Sequence, residues 1–136
     1  MSTIISAPAP LIGVGWFGNK GRGVVALRDL APGTVIERSP VLIIPAKDRP
    51  HTDATIVFTY VFMWEHDTTE QDLYQGEGRA GIALGLSSLL NHSYRPNAEF
   101  IRHIDALELE LRALQPIHAG QEVTIDYQMD LWFQPD

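Results

Sequence analysis

The chain contains no cysteine, which excludes disulfides, cysteine-based zinc ribbons and thiol nucleophiles. Its histidines, His51, His66, His92, His103 and His118, share no short segment and show no H-x-x-x-H spacing, so no metal site is expected. No apolar run is long enough for a membrane span: the longest, IVFTYVFMW, reaches about half the required length. The opening MSTIISAPAPLI lacks a basic flank and carries too short an apolar run for a signal peptide. A cytoplasmic protein without membrane contact is expected. Basic residues are also scarce, Lys+Arg 10 against Asp+Glu 17, for a net charge of −7. That balance argues against nucleic acid, whose phosphates need a basic face, and leaves room for a basic partner. Internal repeats, low-complexity segments and good amphipathic helices are missing as well.

What remains is a chain of 136 residues, about one domain long, with 45% hydrophobic and 20% charged residues. Its 9 prolines and 11 glycines predict many short elements joined by turns. GVVAL (23–27) reads as a short strand, Pro32-Gly33 as a turn, and Val35-Ile36 as the start of another strand. Pro40 and Pro45 bracket VLII, a short strand, and AKDRPHTD (46–53) reads as loop. ATIVFTYVFMW (54–64) mixes β-branched and aromatic residues and reads as one extended strand or two. IALGLSSLLN (82–91) starts as strand and finishes as a helical turn stopped near Asn91. In ALELELRAL, Leu107, Leu109 and Leu111 point one way and Glu108, Glu110 and Arg112 the other, the pattern of a half-buried antiparallel strand. EVTIDY alternates likewise, with Val123, Ile125 and Tyr127 on one face. The fold class is mostly β with short helices.

One glycine cluster suggests a cofactor and fails the test. In GVGWFGNKGRG, Gly13, Gly15 and Gly18 spell G-x-G-x-x-G, with Glu37 about twenty residues on, the outline of a dinucleotide fingerprint. That motif needs a strand before it and a long helix opening at its last glycine. Here Pro8 and Pro10 precede it and NKGRGVV follows, which no helix tolerates. The match is coincidental.

Three other segments, in one order, carry a specific resemblance: GRGVVA near the start, LLNHSYRPN at 89–97 and GQEVTIDY at 120–127. Together they resemble the SET domain of protein-lysine N-methyltransferases, whose marks are G-x-G, N-H-S-x-x-P-N and a terminal E-[LVI]-T-x-D-Y. The pattern is most similar to the small stand-alone SET proteins of viruses and bacteria. The resemblance implies a β-clip fold with a C-terminal pseudoknot. It divides the chain into an N-terminal extension (1–11), a SET domain (12–128) and a short tail (129–136) in place of the zinc module of larger relatives. It also implies a transferase that moves a methyl group from S-adenosylmethionine to a lysine amine in a basic protein or peptide.

The chemistry suits the composition. Methyl transfer from a sulfonium to an amine is an in-line displacement that needs positioning, not a metal or a thiol. The amine must be neutral, and at pH 7 only about one lysine in two to three thousand is. A desolvating aromatic channel beside a cationic cofactor lowers that pKa.

By the resemblance, Tyr127 is the catalytic tyrosine that orients the amine. Lys20, Gly21, Arg22 and Gly23 would bring main chain close to the cofactor, Asn91 would bond its amino-acid end, and His92 would meet the adenine edge mainly through its backbone. Tyr60 would stand beside both the cofactor and the lysine. Ile125, Tyr127, Tyr60 and Phe133 would wall the substrate channel, and Trp132 would cover the cofactor. A tail that packs on the core or on a second subunit is the other reading of Trp132 and Phe133, which leaves a homodimer open. The acidic run Glu65, Asp67, Glu70, Asp72 and Glu77 would form one wall of the peptide groove, or else a solvated loop.

Some positions depart from the family pattern. Tyr94 stands where many relatives have cysteine, Leu89-Leu90 replaces an Arg-Phe pair, and no channel tyrosine occurs near Ser39 and Pro40. A non-catalytic SET module that binds a basic partner is the rival reading. The retained Tyr127, Asn91, His92 and G-x-G favour the enzyme.

Overall fold

A computed structural model describes residues 10–64 and 78–127. The acidic run at 65–77, Trp132 and Phe133 lie outside the described residues. Nine strands form two sheets: β1 (Ile12–Trp16), β2 (Arg22–Ala26), β3 (Val35–Ile44), β4 (Phe62–Met63), β5 (Ala80–Ala83), β6 (Asn91–His92), β7 (Ala98–His103), β8 (Glu108–Ala113) and β9 (Glu122–Ile125). One sheet runs β1-β2-β9-β6 and the other β4-β5-β3-β8-β7. All pairings are antiparallel except β6 with β9. A single apolar cluster draws on both sheets: Val24, Val123 and Ile125 from the first, Val41, Phe100, Leu109 and Leu111 from the second. Burying each large aliphatic of this set contributes about 1.5–3 kcal/mol before entropy is counted. Among the described residues, no helix is long and apolar enough to cross a membrane.

The alternating segments behave as their patterns predict, with instructive exceptions. Leu109 and Leu111 are fully buried. Leu107 instead sits at the turn with φ 56°, exposed, and is not part of the strand. Glu110, on the polar face, is nevertheless buried, because His103 Nε2 and Arg112 Nη2 approach its carboxylate at 2.9 and 2.5 Å.

Pro40 does not end a strand. β3 runs through it for ten residues. The strand pairs with β8 as far as Pro40 and with β5 from Val41 onward. The residue without an N–H therefore stands where the strand changes partners, and its carbonyl still accepts from Leu84.

Residues 46–53 are not plain loop. They form a 3-10 turn, Ala46–Asp48, and a short helix α1, Arg49–Thr52. Its fully buried Arg49 donates to the Gly78 carbonyl at 2.9 Å and pairs with Asp53 at 3.2 Å. Nor are residues 54–64 one long strand: Ile56–Tyr60 is a 3-10 helix, and only Phe62–Met63 are extended. Thr55 is the cause, since its hydroxyl accepts from Val57 N–H and donates to the Thr52 carbonyl. Such local bonds offer the backbone an alternative to a sheet ladder.

The glycine fingerprint opens no long helix. A single 3-10 turn, Gly18–Lys20, joins β1 to β2, with Gly18 and Gly21 at φ 57° and 74°. Glu37, the apparent partner of that fingerprint, has another task. A bulge between Val35 and Glu37 shifts the register of β3 and pairs Glu37 with Leu111, whose side chain is buried. The Glu37 carboxylate accepts from Ser39 Oγ (2.8 Å), Ser87 N (2.8 Å), Ser87 Oγ (2.6 Å) and Leu86 N (3.1 Å). It thereby caps the 3-10 turn Leu86–Leu89 that leads into β6. Gly85 is required here, since a Cβ would lie 2.6 Å from Ser39 Oγ and 2.8 Å from Glu37 Oε1.

We expect Glu37→Gln to lose about 2–4 kcal/mol in denaturant unfolding, because an amide N–H would face the Leu86 N–H and the charge-assisted bonds would go. A loss within about 0.5 kcal/mol, the usual range for a surface substitution, would show that this carboxylate does not hold the turn.

Candidate active site

Three distant segments converge on Tyr127. The parallel pairing sets Asn91 opposite Thr124 and His92 opposite Ile125, and Ser93 N–H extends it by donating to the Ile125 carbonyl at 2.8 Å. Asn97 clamps the same strand from the side. Its Nδ2 donates to the Glu122 carbonyl at 2.8 Å, and its Oδ1 accepts from Thr124 N–H at 2.9 Å. One asparagine amide thus bonds a carbonyl and an N–H of β9 two residues apart.

His92 is buried, and its Nδ1 accepts from the Tyr127 N–H at 2.9 Å. That role places the proton of the neutral ring on Nε2. The two rings meet at 67° with centroids 5.1 Å apart, and Tyr94 lies edge-on to His92 at 4.5 Å. The sequence reading gave the His92 backbone to an adenine edge; its side chain has a separate task, fixing the backbone of Tyr127.

The Tyr127 hydroxyl donates to the Leu90 carbonyl at 2.5 Å. Burial first, and then the negative charge of Glu122, push its pKa up to about 12, with a hydrogen bond to His92 working the other way. Tyr127 is therefore a neutral phenol at any physiological pH.

Two cavities of unlike size share this residue. The wider, about 240 Å³, is a polar cleft bordered by Lys20, Gly21, Arg22, Leu89 and Asn91. The narrower, about 20 Å³, is bordered by Phe58, Phe62 and Met63. Thr59, Tyr60, Ser88, Leu90 and Tyr127 border both. A space of the smaller size admits one water-sized group.

Most of the sequence-predicted residues gather here: Lys20, Gly21, Arg22, Tyr60, Asn91 and Tyr127 all face the cleft. Two do not. Gly23 lies within β2, where its missing side chain makes room for others: a Cβ would stand 2.6 Å from Asn91 Nδ2 and 2.7 Å from Glu122 Oε2. Ile125 is fully buried in the core and borders neither cavity, so it is not seen as a channel wall.

Sequence reasoning missed Glu122, which ties together two residues that border the cleft. Glu122 accepts from Lys20 Nζ at 2.5 Å and from Asn91 Nδ2 at 2.7 Å. These partners lie 102 and 31 residues away, so no local pattern discloses them. The available signal was that Glu122 opens the E-V-T-I-D-Y segment beside the catalytic candidate.

Comparison with known proteins agrees with this geometry. The profile of the SET domain matches residues 21–128. The histone-lysine N-methyltransferase, H3 lysine-37 specific, of Schizosaccharomyces pombe is 32% identical over 118 residues, covering 86% of this chain and 73% of that protein. Among solved structures, a Plasmodium falciparum protein described as a candidate histone methyltransferase superposes with a TM-score of 0.66 at 22% identity, covering 93% of this chain and all of that one. The Neurospora SET domain protein DIM-5, a histone lysine methyltransferase, gives 0.62 at 22% identity, covering 92% of this chain and 55% of that one. At such identity these two structures show the fold alone. The family profile and the fission-yeast relative show more: the chain belongs to the SET-domain family of protein-lysine methyltransferases.

Proposed function

We propose that the protein transfers a methyl group from S-adenosylmethionine to the side-chain amine of a lysine in a basic protein or peptide. One observation carries the reading: a wide polar cleft and a narrow, largely apolar cavity meet at Tyr127 and Tyr60. Two reactants of unlike size can then approach one point from different openings. The histone substrate named for the fission-yeast relative and the net charge of −7 support a basic protein as acceptor.

The cleft fits the cofactor chemically. Gly21, at φ 74°, turns the main chain of the Lys20–Arg22 loop along the cleft with no side chain of its own. Lys20 and Asn91 supply a cation and an amide to the zwitterionic end of an amino acid. When bound, S-adenosylmethionine supplies a methyl group on a positively charged sulfur. The remaining work belongs to the chain's own residues.

Tyr127 is proposed as the catalytic residue. Its proton is engaged by the Leu90 carbonyl, so its oxygen meets an incoming amine as an acceptor and aligns the nitrogen. Phe58 and Phe62 border the narrow cavity and strip water from the lysine, which lowers its pKa toward the neutral, nucleophilic form. Tyr60 stands at the meeting point of the two cavities. The parallel pairing of β6 with β9 supports a C-terminal segment threaded into a pseudoknot. We place the protein in the cytoplasm, on the sequence reading.

Titration calorimetry in the presence of a chelator tests the cofactor. We expect binding in the micromolar range; no heat with S-adenosylmethionine or its demethylated product would remove it. For Tyr127→Phe we expect turnover to fall about 10²–10³-fold, or roughly 3–4 kcal/mol, with cofactor affinity nearly unchanged. Unchanged turnover would take Tyr127 out of the mechanism and favour a binding module.

The raised pKa of Tyr127 also fixes a pH dependence. An unfolded phenol ionises near 10 and the folded one near 12. The stability from holding it neutral is complete below pH 10 and disappears as pH climbs toward about 12. Absorbance titration should show one tyrosine with that high midpoint in the wild type and none in Tyr127→Phe.

A further inference from the structure

Glu122 lies behind the cleft, bonded to two residues that border it, with a side chain only 12% exposed, facing Lys20 at 29%. Its two oxygens divide their tasks: Oε1 takes the Lys20 ammonium and Oε2 the Asn91 amide. Asn91 Nδ2 also donates to the Arg22 carbonyl at 3.2 Å. Both partners of that nitrogen are acceptors only, so it must be the NH₂, and the amide cannot be turned over without setting two acceptors against an oxygen. The Asn91 oxygen is thereby left for the cleft that the residue borders. Gly23 completes the arrangement, since any side chain there would collide with both Asn91 Nδ2 and Glu122 Oε2.

We propose that Glu122 is a positioning residue for methyl transfer: it fixes the Asn91 amide with its oxygen toward the cleft and holds the Lys20 ammonium beside it, so that the cleft presents a matched acceptor and cation to the ammonium and carboxylate of an amino-acid moiety. The inference rests on the cofactor reading above and deepens it, by naming what orders the amino-acid end of the site. It also gives Lys20 a side-chain role in addition to the main-chain role expected from the motif. The charge of Glu122 reaches Tyr127 as well, where it opposes phenolate formation.

The test combines binding with a readout that needs no cofactor. In Glu122→Gln the charge and one of the two acceptor oxygens are lost, so we expect the dissociation constant for S-adenosylmethionine to rise about tenfold or more, while turnover at saturation stays within about threefold. Asn91→Ala should cost a similar factor, and the double variant should be little worse than either single one, because the two act through one contact. In the cofactor-free protein, the high phenol midpoint should move down in Glu122→Gln by the smaller share that Glu122 contributes, since burial, the larger cause, remains. Wild-type affinity in Glu122→Gln, additive losses in the double variant, or an unmoved phenol midpoint would each overturn the proposal. If Glu122→Gln does not fold, Lys20→Met, which leaves the Asn91 contact in place, carries the test: weakening of about tenfold supports it and wild-type affinity overturns it. Absence of cofactor binding by the wild type would instead defeat the cofactor reading, and the phenol titration separates the two failures.

Discussion

The carboxylate of Glu37 is the constraint from which the site is built. By accepting from Ser39, Ser87 and Leu86 it ties β3 to the turn Leu86–Leu89. That turn delivers the Leu90 carbonyl, Asn91 and His92 in succession. Leu90 then holds the Tyr127 hydroxyl and His92 holds its backbone. Tyr127, the proposed catalytic residue, is thus positioned through a relay that begins some ninety residues earlier, at Glu37. Every link is a hydrogen bond to a buried or half-buried group, where a missing partner costs more than a formed bond contributes.

The site separates two electrostatic problems. The cleft carries charge of both signs, with Lys20 and Glu122 compensating each other at 2.5 Å. The narrow cavity carries aromatic and aliphatic walls, which favour a neutral amine over an ammonium. Tyr127 lies where these environments touch, and burial and Glu122 both push its phenol pKa up. A methyltransferase needs this division, since one reactant must keep its positive charge and the other must lose its own.

Period-two alternation made β8 and β9 legible, because a half-buried antiparallel strand leaves that trace in its own residues. The N-H-S, P-N and T-I-D-Y motifs located Asn91, His92 and Tyr127 for a related reason: the cofactor reading needs particular residues at particular spacings. Other features depend on partners far along the chain. β3 passes through Pro40 because two different strands flank it there, which no local window contains. Ile56–Tyr60 turned helical because the Thr55 hydroxyl outcompeted a strand-like apolar run. Glu37, counted with a dinucleotide fingerprint by its distance from the glycines, serves a turn some fifty residues away. The motif reading concerned the His92 backbone and said nothing of its side chain, which serves the backbone of Tyr127. In each case the deciding contact is tertiary, while the periodic signal is local.

The central claim is methyl transfer to a lysine amine at the meeting point of the two cavities. It is tested most directly by incubating the protein with S-adenosylmethionine carrying an isotopically labelled methyl group and a set of basic, lysine-bearing proteins. Tandem mass spectrometry then locates the label. The account predicts labelled methyl on lysine Nζ atoms of a basic acceptor, absent when Tyr127→Phe replaces the wild type. Cofactor binding with no label on any lysine, or label on lysines that persists undiminished in Tyr127→Phe, would contradict it.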